Sequence, residues 1–586
     1  MFKLFKNLGK KQLFYAILCV TFISLNVFLE LKIPDYMSEI TVLVQTKGSL
    51  WKDILKNGCF MMLCAFGSLI ASFIVGYFAS HVASYFGKIT RKSVFEKVGK
   101  FSTEEIKKFS TSSLITRTTN DVTQVQMLIA MGLQAIIKAP IMATWAIIKI
   151  SGKNYIWSLA TFISVVILLI VIATIMILVI PKFKIVQQLT DKLNRITREN
   201  LTGIRVIRAF NAEDYQQKKF ENANEELKNT QLFNQRVFGL LSPTMSLISS
   251  GLSLSIYLIG ASLINKASMM DKLPLFGDMV VFSSYAMQVI MSFMMLIMIF
   301  IIYPRASISA KRILEVLETE ESIKEGDITE GKEVGTVEFR NVSFKYPDAE
   351  EYMLKDISFK VNKGETVAFI GSTGSGKSTL INLVPRFYDA TEGEVFVNGV
   401  NVKDYKLDAL NNVIGYVPQK AVMFNGTVKE NVAYGETIKE VTDKKIKQSI
   451  EIAQGKDFVE KMSDGYDSEV SRGGTNISGG QKQRLAIARA IARDPEIYIF
   501  DDSFSALDYK TDFVLRKELN KYTKDATNLI VAQRIGTIKE ADKIFVLDEG
   551  NVVGVGTHKE LLKSCGVYKE IALSQLGEEE LENETR

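Results

Sequence analysis

The sequence predicts two structural parts in one chain: an α-helical domain of six membrane-spanning helices, followed by a soluble α/β domain. Its 586 residues are too many for a single hydrophobic core. Apolar residues make up 47% of the chain, and their long runs are confined to the first 305 residues. From Val337 onward, short strand-like runs alternate with helix-like segments, which is typical of an α/β domain.

Six apolar runs predict the membrane-spanning helices, because each covers the ~20 residues needed to cross a ~30 Å hydrocarbon core. They lie at residues 13–33, 54–86, 129–149, 156–181, 238–264 and 276–303. The first run is too long for the core of a signal peptide and lacks a small-residue cleavage site. The second is longer than a bilayer requires, so we expect its helix to continue into water. An even number of spans places both termini on the same side.

The loops between these runs alternate in length and charge. Those at 34–53, 150–155 and 265–275 are short, whereas those at 87–128 and 182–237 are long and basic. Because positive loops stay on the cytoplasmic side, the long loops and both termini are predicted to be cytoplasmic. Both long loops have helical periodicity and partly apolar faces, so we expect them to dock on a soluble domain.

Composition limits the remaining possibilities. The net charge of +6 suits basic cytoplasmic loops, and no concentrated basic stripe indicates nucleic-acid binding. The four cysteines suggest neither a disulfide framework nor a metal site. The predicted organisation is a membrane domain at 1–317, an acidic linker at 318–335, a soluble domain at 336–572 and an acidic tail at 573–586.

A glycine-rich stretch lies between the apolar strand 366–370 and a predicted helix that contains Thr379. Its spacing, G-x-x-x-x-G-K-[ST], together with the strand–loop–helix context, predicts a phosphate-binding loop. Backbone N–H groups there can surround phosphate oxygens, while Lys377 reaches the β- and γ-phosphates and Ser378 binds Mg²⁺. The stretch reads Gly371-Ser372-Thr373-Gly374-Ser375-Gly376-Lys377-Ser378.

Three further features suit a nucleotide site. The apolar strand 495–500 ends in Asp501, the position of the usual Mg²⁺ partner of Ser378. An upstream aromatic residue, Tyr346, could stack on a nucleotide base. A second anion-binding helix terminus, about a hundred residues after the phosphate loop, would let two copies clamp ATP between them. That terminus consists of Ser478, Gly479, Gly480 and Gln481.

Together these motifs resemble an ABC transporter subunit of the exporter type, and the resemblance covers essentially the whole chain. It implies a six-span transmembrane domain followed by an α/β P-loop nucleotide-binding domain that uses ATP and Mg²⁺. It further implies that Tyr346 stacks on adenine and that Gln419 joins Ser378 and Asp501 around Mg²⁺, partly through water. The signature Ser478–Gln481 then contacts the opposite ATP, and Asp508 belongs to the D-loop. Residues 199–210 resemble an exporter coupling loop.

Two positions depart from the family pattern. The Glu that normally follows the strand-end Asp, and activates the attacking water, is Asp502 here. The His of the later strand-end pair is Gln533, and neither His81 nor His558 is placed to substitute. A general base must come within about 2.6–3.2 Å of its proton, so losing one methylene of reach matters. Since Gln533 also carries no positive charge, the site is predicted to bind ATP and hydrolyse it poorly.

This asymmetry resembles the degenerate-site subunit of bacterial heterodimeric multidrug ABC exporters. It implies a second exporter half-subunit that supplies the catalytic Glu and the switch His opposite Ser478, and a weakened signature opposite Lys377. A homodimer that hydrolyses slowly with Asp502 is the main alternative. A lipid or peptide exporter, an importer on the same scaffold and a regulatory ATP-binding membrane protein also remain open.

Cargo and location are indicated only by composition. The sixth span is rich in methionine, which suits a pocket for hydrophobic drug-like compounds or ordinary contact with lipid. Lys138 lies within the third span, where a charge is costly and marks either a functional or a structural site. The lysine-rich, proline-poor composition suggests a multi-pass protein of a bacterial plasma membrane. The methionines are Met287, Met291, Met294, Met295 and Met298.

Overall fold

The computed structural model describes most of the chain as two compact units. The first unit comprises residues up to Gly99 together with Ser112–Thr319, and the second comprises Lys100–Thr111 together with the residues from Glu320 onward. A short piece from the first long loop therefore clusters with the soluble part of the chain. The described residues are 2–5, 9–46, 48–151, 155–268, 271–435 and 440–575.

Helices make up the first unit, because backbone N–H and C=O groups in a membrane must be satisfied within the helix itself. Six of its helical segments, in the described ranges, are long and apolar enough to cross a membrane, which confirms the six predicted spans. The helices before Glu320 are α1 Phe2–Phe5, α2 Lys10–Gln45, α3 Trp51–Gly99, α4 Thr103–Phe109 (second unit), α5 Thr111–Thr118, α6 Asn120–Ser151, α7 Tyr155–Thr202, α8 Ile204–Ala209, α9 Glu213–Gly239, α10 Leu241–Lys266 and α11 Lys272–Glu318.

Charged side chains of α2 and α6 form ion pairs with each other. The Lys138 ammonium on α6 donates to the Glu30 carboxylate on α2 at 2.8 Å. Lys149 of α6 donates to Asp35 of α2 at 2.7 Å, and the Tyr285 hydroxyl of α11 donates to the same carboxylate at 2.6 Å. Since an unpaired charge in an apolar setting is expensive, these pairs join α2, α6 and α11 and account for the tolerance of Lys138.

The second unit contains the strands and the shorter helices. Its strands are β1 Val337–Phe344, β2 Leu354–Val361, β3 Thr366–Gly371, β4 Glu392–Val397, β5 Val400–Asn401, β6 Ile414–Val417, β7 Gly426–Thr427, β8 Glu469–Val470, β9 Ile497–Asp501, β10 Thr527–Val531, β11 Lys543–Asp548 and β12 Asn551–Gly556. Its helices after Glu320 are α12 Lys377–Asn382, α13 Leu407–Val413, α14 Val428–Val432, α15 Asp443–Ile452, α16 Lys456–Val459, α17 Gly479–Arg493, α18 Tyr509–Tyr522, α19 Ile535–Ile538, α20 His558–Ser564 and α21 Gly566–Gln575.

A six-stranded sheet in the order β12-β11-β3-β10-β9-β6 forms the centre of this unit. All neighbours in it are parallel except the edge strand β12. Successive residues of a strand point to opposite faces, so Val367 and Phe369 enter one hydrophobic core while Ala368 and Ile370 enter another. Because β3, β10, β9 and β6 run in the same direction, the turns that follow them meet at one edge of the sheet.

The predicted linker is bonded to the second unit. The Gly326 and Ile328 backbone N–H groups donate to the carbonyls of Tyr405 and Asp404, both at 3.0 Å. A Cβ at Gly326 would lie 2.2 Å from the backbone of Asp404, so the close approach requires glycine there. At the other end, α21 continues to Gln575, inside the segment predicted as a tail; the rest of that tail, residues 576–586, lies outside the described residues. The exact domain boundaries stay predictions.

Candidate nucleotide site

The phosphate loop connects β3 to α12. Gly376 has φ +96°, a left-handed conformation that favours glycine, and it caps the helix that Lys377 begins. The Lys377 ammonium donates to the carbonyls of Gly371 at 2.9 Å and Ser372 at 2.7 Å. Burial lowers the pKa of Lys377, although Asp502 and Asp501 oppose this effect. The cation thus lies inside the loop, where phosphate oxygens can replace the carbonyls as acceptors.

Ser378 and Asp501 offer a hydroxyl and a carboxylate side by side. The Ser378 hydroxyl donates to Asp501 Oδ1 at 2.8 Å. Burial raises the pKa of Asp501, as does neighbouring Asp502, while Ser378 and Lys377 lower it. Two hard oxygen donors fit Mg²⁺, which takes one or two protein ligands and completes its shell with water and substrate phosphates. When bound there, Mg²⁺ neutralises charge on the phosphates. In the described ranges, no cluster of three His, Cys, Asp or Glu side chains offers a more complete metal cage.

Asp502 lies between the side chains of Gln419 and Gln533, a grouping that the sequence alone did not predict. Its Oδ2 accepts hydrogen bonds from Gln533 Nε2 at 2.9 Å and from Gln419 Nε2 at 3.2 Å. Its backbone has φ +44°, and its N–H donates to the Val531 carbonyl at 2.9 Å. Burial raises the pKa of Asp502, whereas the hydrogen bonds from Gln419 and Ser505 lower it. The carboxylate is therefore buried and oriented by two neutral amides.

The parallel sheet explains how residues so far apart in sequence meet. Gln419, Asp502 and Gln533 each follow one of three adjacent strands, β6, β9 and β10. Sequence reasoning missed the residue that fixes the last of these turns. Gln575 on α21 donates to the Gln533 carbonyl at 2.7 Å and accepts from the Ile535 N–H at 2.8 Å. No local motif marks Gln575, because its role depends on where α21 packs.

The signature residues form a complete helix cap. Ser478 Oγ accepts from the Gln481 N–H at 3.3 Å, and Gln481 Oε1 accepts from the Ser478 N–H at 2.8 Å. Asp508 similarly caps α18, accepting from the Thr511 N–H at 3.0 Å. Among the described residues, no hydrogen bond links Ser478 or Gln481 to the phosphate loop. The signature residues thus form the capped N-terminus of α17, and their contact with an opposite ATP stays a prediction.

Tyr346 lies beside the phosphate-loop helix. Its hydroxyl is 3.0 Å from Thr379 Oγ1, with either group able to donate. Its ring packs edge-on against Phe344 and Tyr388, with centroids 4.9 and 5.4 Å apart. The structure therefore links the predicted adenine-stacking residue to Thr379 of α12, the helix that follows the phosphate loop.

A bundle of membrane-spanning helices followed in the same chain by a P-loop domain is the architecture of a membrane transporter driven by nucleotide. The comparisons agree. The sequence profile for the ABC transporter transmembrane region matches residues 13–293, and that for the ABC transporter matches residues 354–505. This chain belongs to the ABC transporter family. It is an exporter-type half-transporter that couples ATP hydrolysis, with Mg²⁺, to transport.

Relatives of this chain come from several bacteria. An uncharacterized ABC transporter ATP-binding protein of Mycobacterium tuberculosis H37Rv is 38% identical over 88% of this chain and 87% of its own length. YfiB of Bacillus subtilis is 36% identical over 87% of this chain and 88% of its own length. A Staphylococcus aureus protein named "Putative multidrug export ATP-binding/permease protein" is 42% identical over 44% of this chain and 45% of its own length.

One solved structure matches almost the full length of the chain. It is a bacterial Atm1-family ABC exporter with ATP bound, which superposes with a TM-score of 0.79 at 25% identity. The match covers 97% of this chain and 100% of that chain. The predicted fold, six membrane helices followed by a nucleotide-binding domain, is confirmed.

Proposed function

We propose that this chain is one subunit of a heterodimeric exporter, and that its own site binds ATP but hydrolyses it poorly. One observation carries this proposal: Asp502, at the position of the catalytic base, accepts hydrogen bonds from both Gln533 and Gln419 on the same oxygen. A base must direct a free lone pair at the attacking water. Here the carboxylate is a methylene short, and one of its oxygens is already engaged by two donors.

The neighbouring residue weakens the same chemical step. A His at position 533 could become cationic and stabilise charge on the transferred phosphoryl group, but the Gln533 amide stays neutral. Lys377, Ser378 and Asp501 keep the geometry that binding of ATP and Mg²⁺ needs. Binding and hydrolysis are thereby separated at this site.

The complete cap at Ser478 supports the other half of the proposal. The cap fixes the N-terminus of α17, whose partial positive charge together with the Ser478 hydroxyl suits the phosphate oxygens of an ATP held by a second half-subunit. That subunit supplies the catalytic Glu and the switch His, and its site does most of the hydrolysis. ATP binding then closes the soluble domains, and hydrolysis at the partner's site resets the transporter.

Cargo and orientation are proposed from the methionine-rich span, the name of one relative and the basic loops. Met291 is 53% exposed and Met294 is 39% exposed, so part of the methionine-rich face is available to a ligand or to lipid, while the Met298 side chain lies outside the described residues. The Staphylococcus relative's name points to drug-like compounds for that protein. The long basic loops favour cytoplasmic termini in a plasma membrane, and all the relatives named above are bacterial.

The deciding experiment compares the Mg-ATPase activity of this chain purified alone with that of the chain co-expressed with its genomic neighbour. Near-zero activity alone and high activity together support the heterodimer. Comparable activity alone that is lost in Asp502→Asn would show that Asp502 is a working base and would replace the proposal with a homodimer. Substrate-dependent stimulation and flux in inside-out vesicles separate drug, lipid and peptide cargo, export from import, and transport from regulation.

A further inference from the structure

Lys107 lies at the nucleotide-base end of the second unit, although its position in the sequence is between the second and third membrane spans. Its ammonium is 5.1 Å from the centroid of the Tyr346 ring and 5.7 Å from that of Tyr388. Both distances fall within the range of cation–π attraction. A hydrogen bond with the Tyr388 hydroxyl and the nearby charge of Asp348 raise the pKa of Lys107, so the side chain is charged at neutral pH.

Helix α4, which carries Lys107, is anchored independently of that side chain. Ser102 and Glu105 form a capping box at its start. The buried Glu105 carboxylate also accepts from the Ser322 N–H at 2.8 Å, and the Ser102 and Ser322 hydroxyls are 2.9 Å apart. Helix α4 of the first long loop is thus hydrogen-bonded to the predicted linker at Ser322. Lys107 therefore projects from a helix whose position is fixed by other residues.

The Tyr346 ring is fixed on its other sides as well. Phe344 and Tyr388 contact it edge-on, and its hydroxyl meets Thr379 at 3.0 Å. Lys107 covers one face of the ring, so an aromatic base would have to stack on the opposite one. Tyr346 is only partly buried, so part of its surface is open to solvent.

We infer that Lys107 is a further nucleotide-binding residue, a cation that the first cytoplasmic loop places over one face of Tyr346 while adenine stacks on the other. This rests on the proposed role of Tyr346 in adenine stacking. The cation holds the ring in its stacking position, so less conformational freedom of the ring is lost when the base binds. By thermodynamic linkage, base binding in turn stabilises the position of α4.

The test uses the full-length chain in nanodiscs and measures the affinity for ATP and for tripolyphosphate, which has the phosphates but no base. Lys107→Ala should weaken ATP binding about two- to fivefold, the range expected for an exposed cation–π contact, and leave tripolyphosphate unchanged. Lys107→Arg should restore the affinity, because a guanidinium also stacks on aromatic faces. Lys108→Ala, which removes the same charge from the adjacent position, should behave as wild type.

Three results would overturn the inference. Unchanged ATP affinity in Lys107→Ala would show that the contact does not contribute. Tighter ATP binding would show that Lys107 occupies the stacking face, and an equal loss of tripolyphosphate affinity would show that the lysine acts on phosphate charge. Tyr346→Leu separates the two proposals: if it leaves ATP binding intact, the adenine-stacking role itself is wrong. If Tyr346→Leu weakens binding and Lys107→Ala does not, only the role of Lys107 is refuted.

Discussion

If this chain's own site is degenerate as proposed, reversing both departures from the family pattern should raise hydrolysis there. Asp502→Glu extends the side chain by one C–C bond of about 1.5 Å. A misplacement of a catalytic group by about 1 Å can lower the rate 10²-fold, so this difference in reach is large enough to matter. The longer side chain also leaves the position where Gln533 and Gln419 donate at 2.9 and 3.2 Å, which frees the carboxylate for water. A general base contributes roughly 10²–10⁴-fold, so the double variant Asp502→Glu/Gln533→His should raise turnover by about 10² or more.

The assay is Mg-ATPase of the chain alone in nanodiscs that hold two copies, where its own signature can face its own phosphate loop. Gln533→His alone should change little because no extended base is present, and Asp502→Glu alone should give part of the gain. Lys377→Ala added to the double variant should abolish the activity and thereby assign it to this site. A double variant that binds ATP normally and turns over no faster than wild type would refute the reasoning from reach and charge.

Three structural contacts give further predictions. Glu105→Ala removes the Glu half of the α4 capping box and a buried acceptor for the Ser322 N–H, so hydrogen exchange at 102–109 should accelerate by the equivalent of about 1–2 kcal/mol, while the partly exposed control Glu104→Ala should have little effect. Glu30→Gln leaves the partly buried Lys138 ammonium without its anion and should destabilise the membrane unit in thermal unfolding by less than the ~3–5 kcal/mol of a fully buried pair; Glu30→Gln/Lys138→Gln should recover part of this, and no recovery would contradict the pairing. Gln575→Ala loses two hydrogen bonds and should speed exchange in the turn after β10 by the equivalent of about 1–3 kcal/mol; unchanged exchange would show that α21 does not hold that turn.

The candidate site was predictable to the extent that its chemistry is local. The phosphate loop Gly371–Ser378 is recognisable because one short segment supplies the glycines, the lysine and the hydroxyl, and its strand and helix flank it directly. The six spans are equally local, since each needs only a continuous apolar run. Asp502 and Gln533 could be identified as departures, but only against a family pattern.

Other parts of the site depend on contacts between distant residues. Gln419, Asp502 and Gln533 meet because β6, β9 and β10 are adjacent and parallel, and strand order cannot be read from any single strand. Gln575 joins them only because α21 packs where it does. Lys138 was visible as a charge in a span, yet its partner Glu30 is 108 residues away.

The sequence by itself determined that six helices span a membrane and that one loop binds phosphate, because periodicity and short motifs act over a few neighbouring residues. Only the tertiary structure decided that Asp502 is held by two amides, that the predicted linker is bonded along its length to the soluble unit, and that Lys107 lies over Tyr346. These contacts join residues separated by tens to hundreds of positions. Their formation depends on the packing of whole elements, which no local pattern specifies.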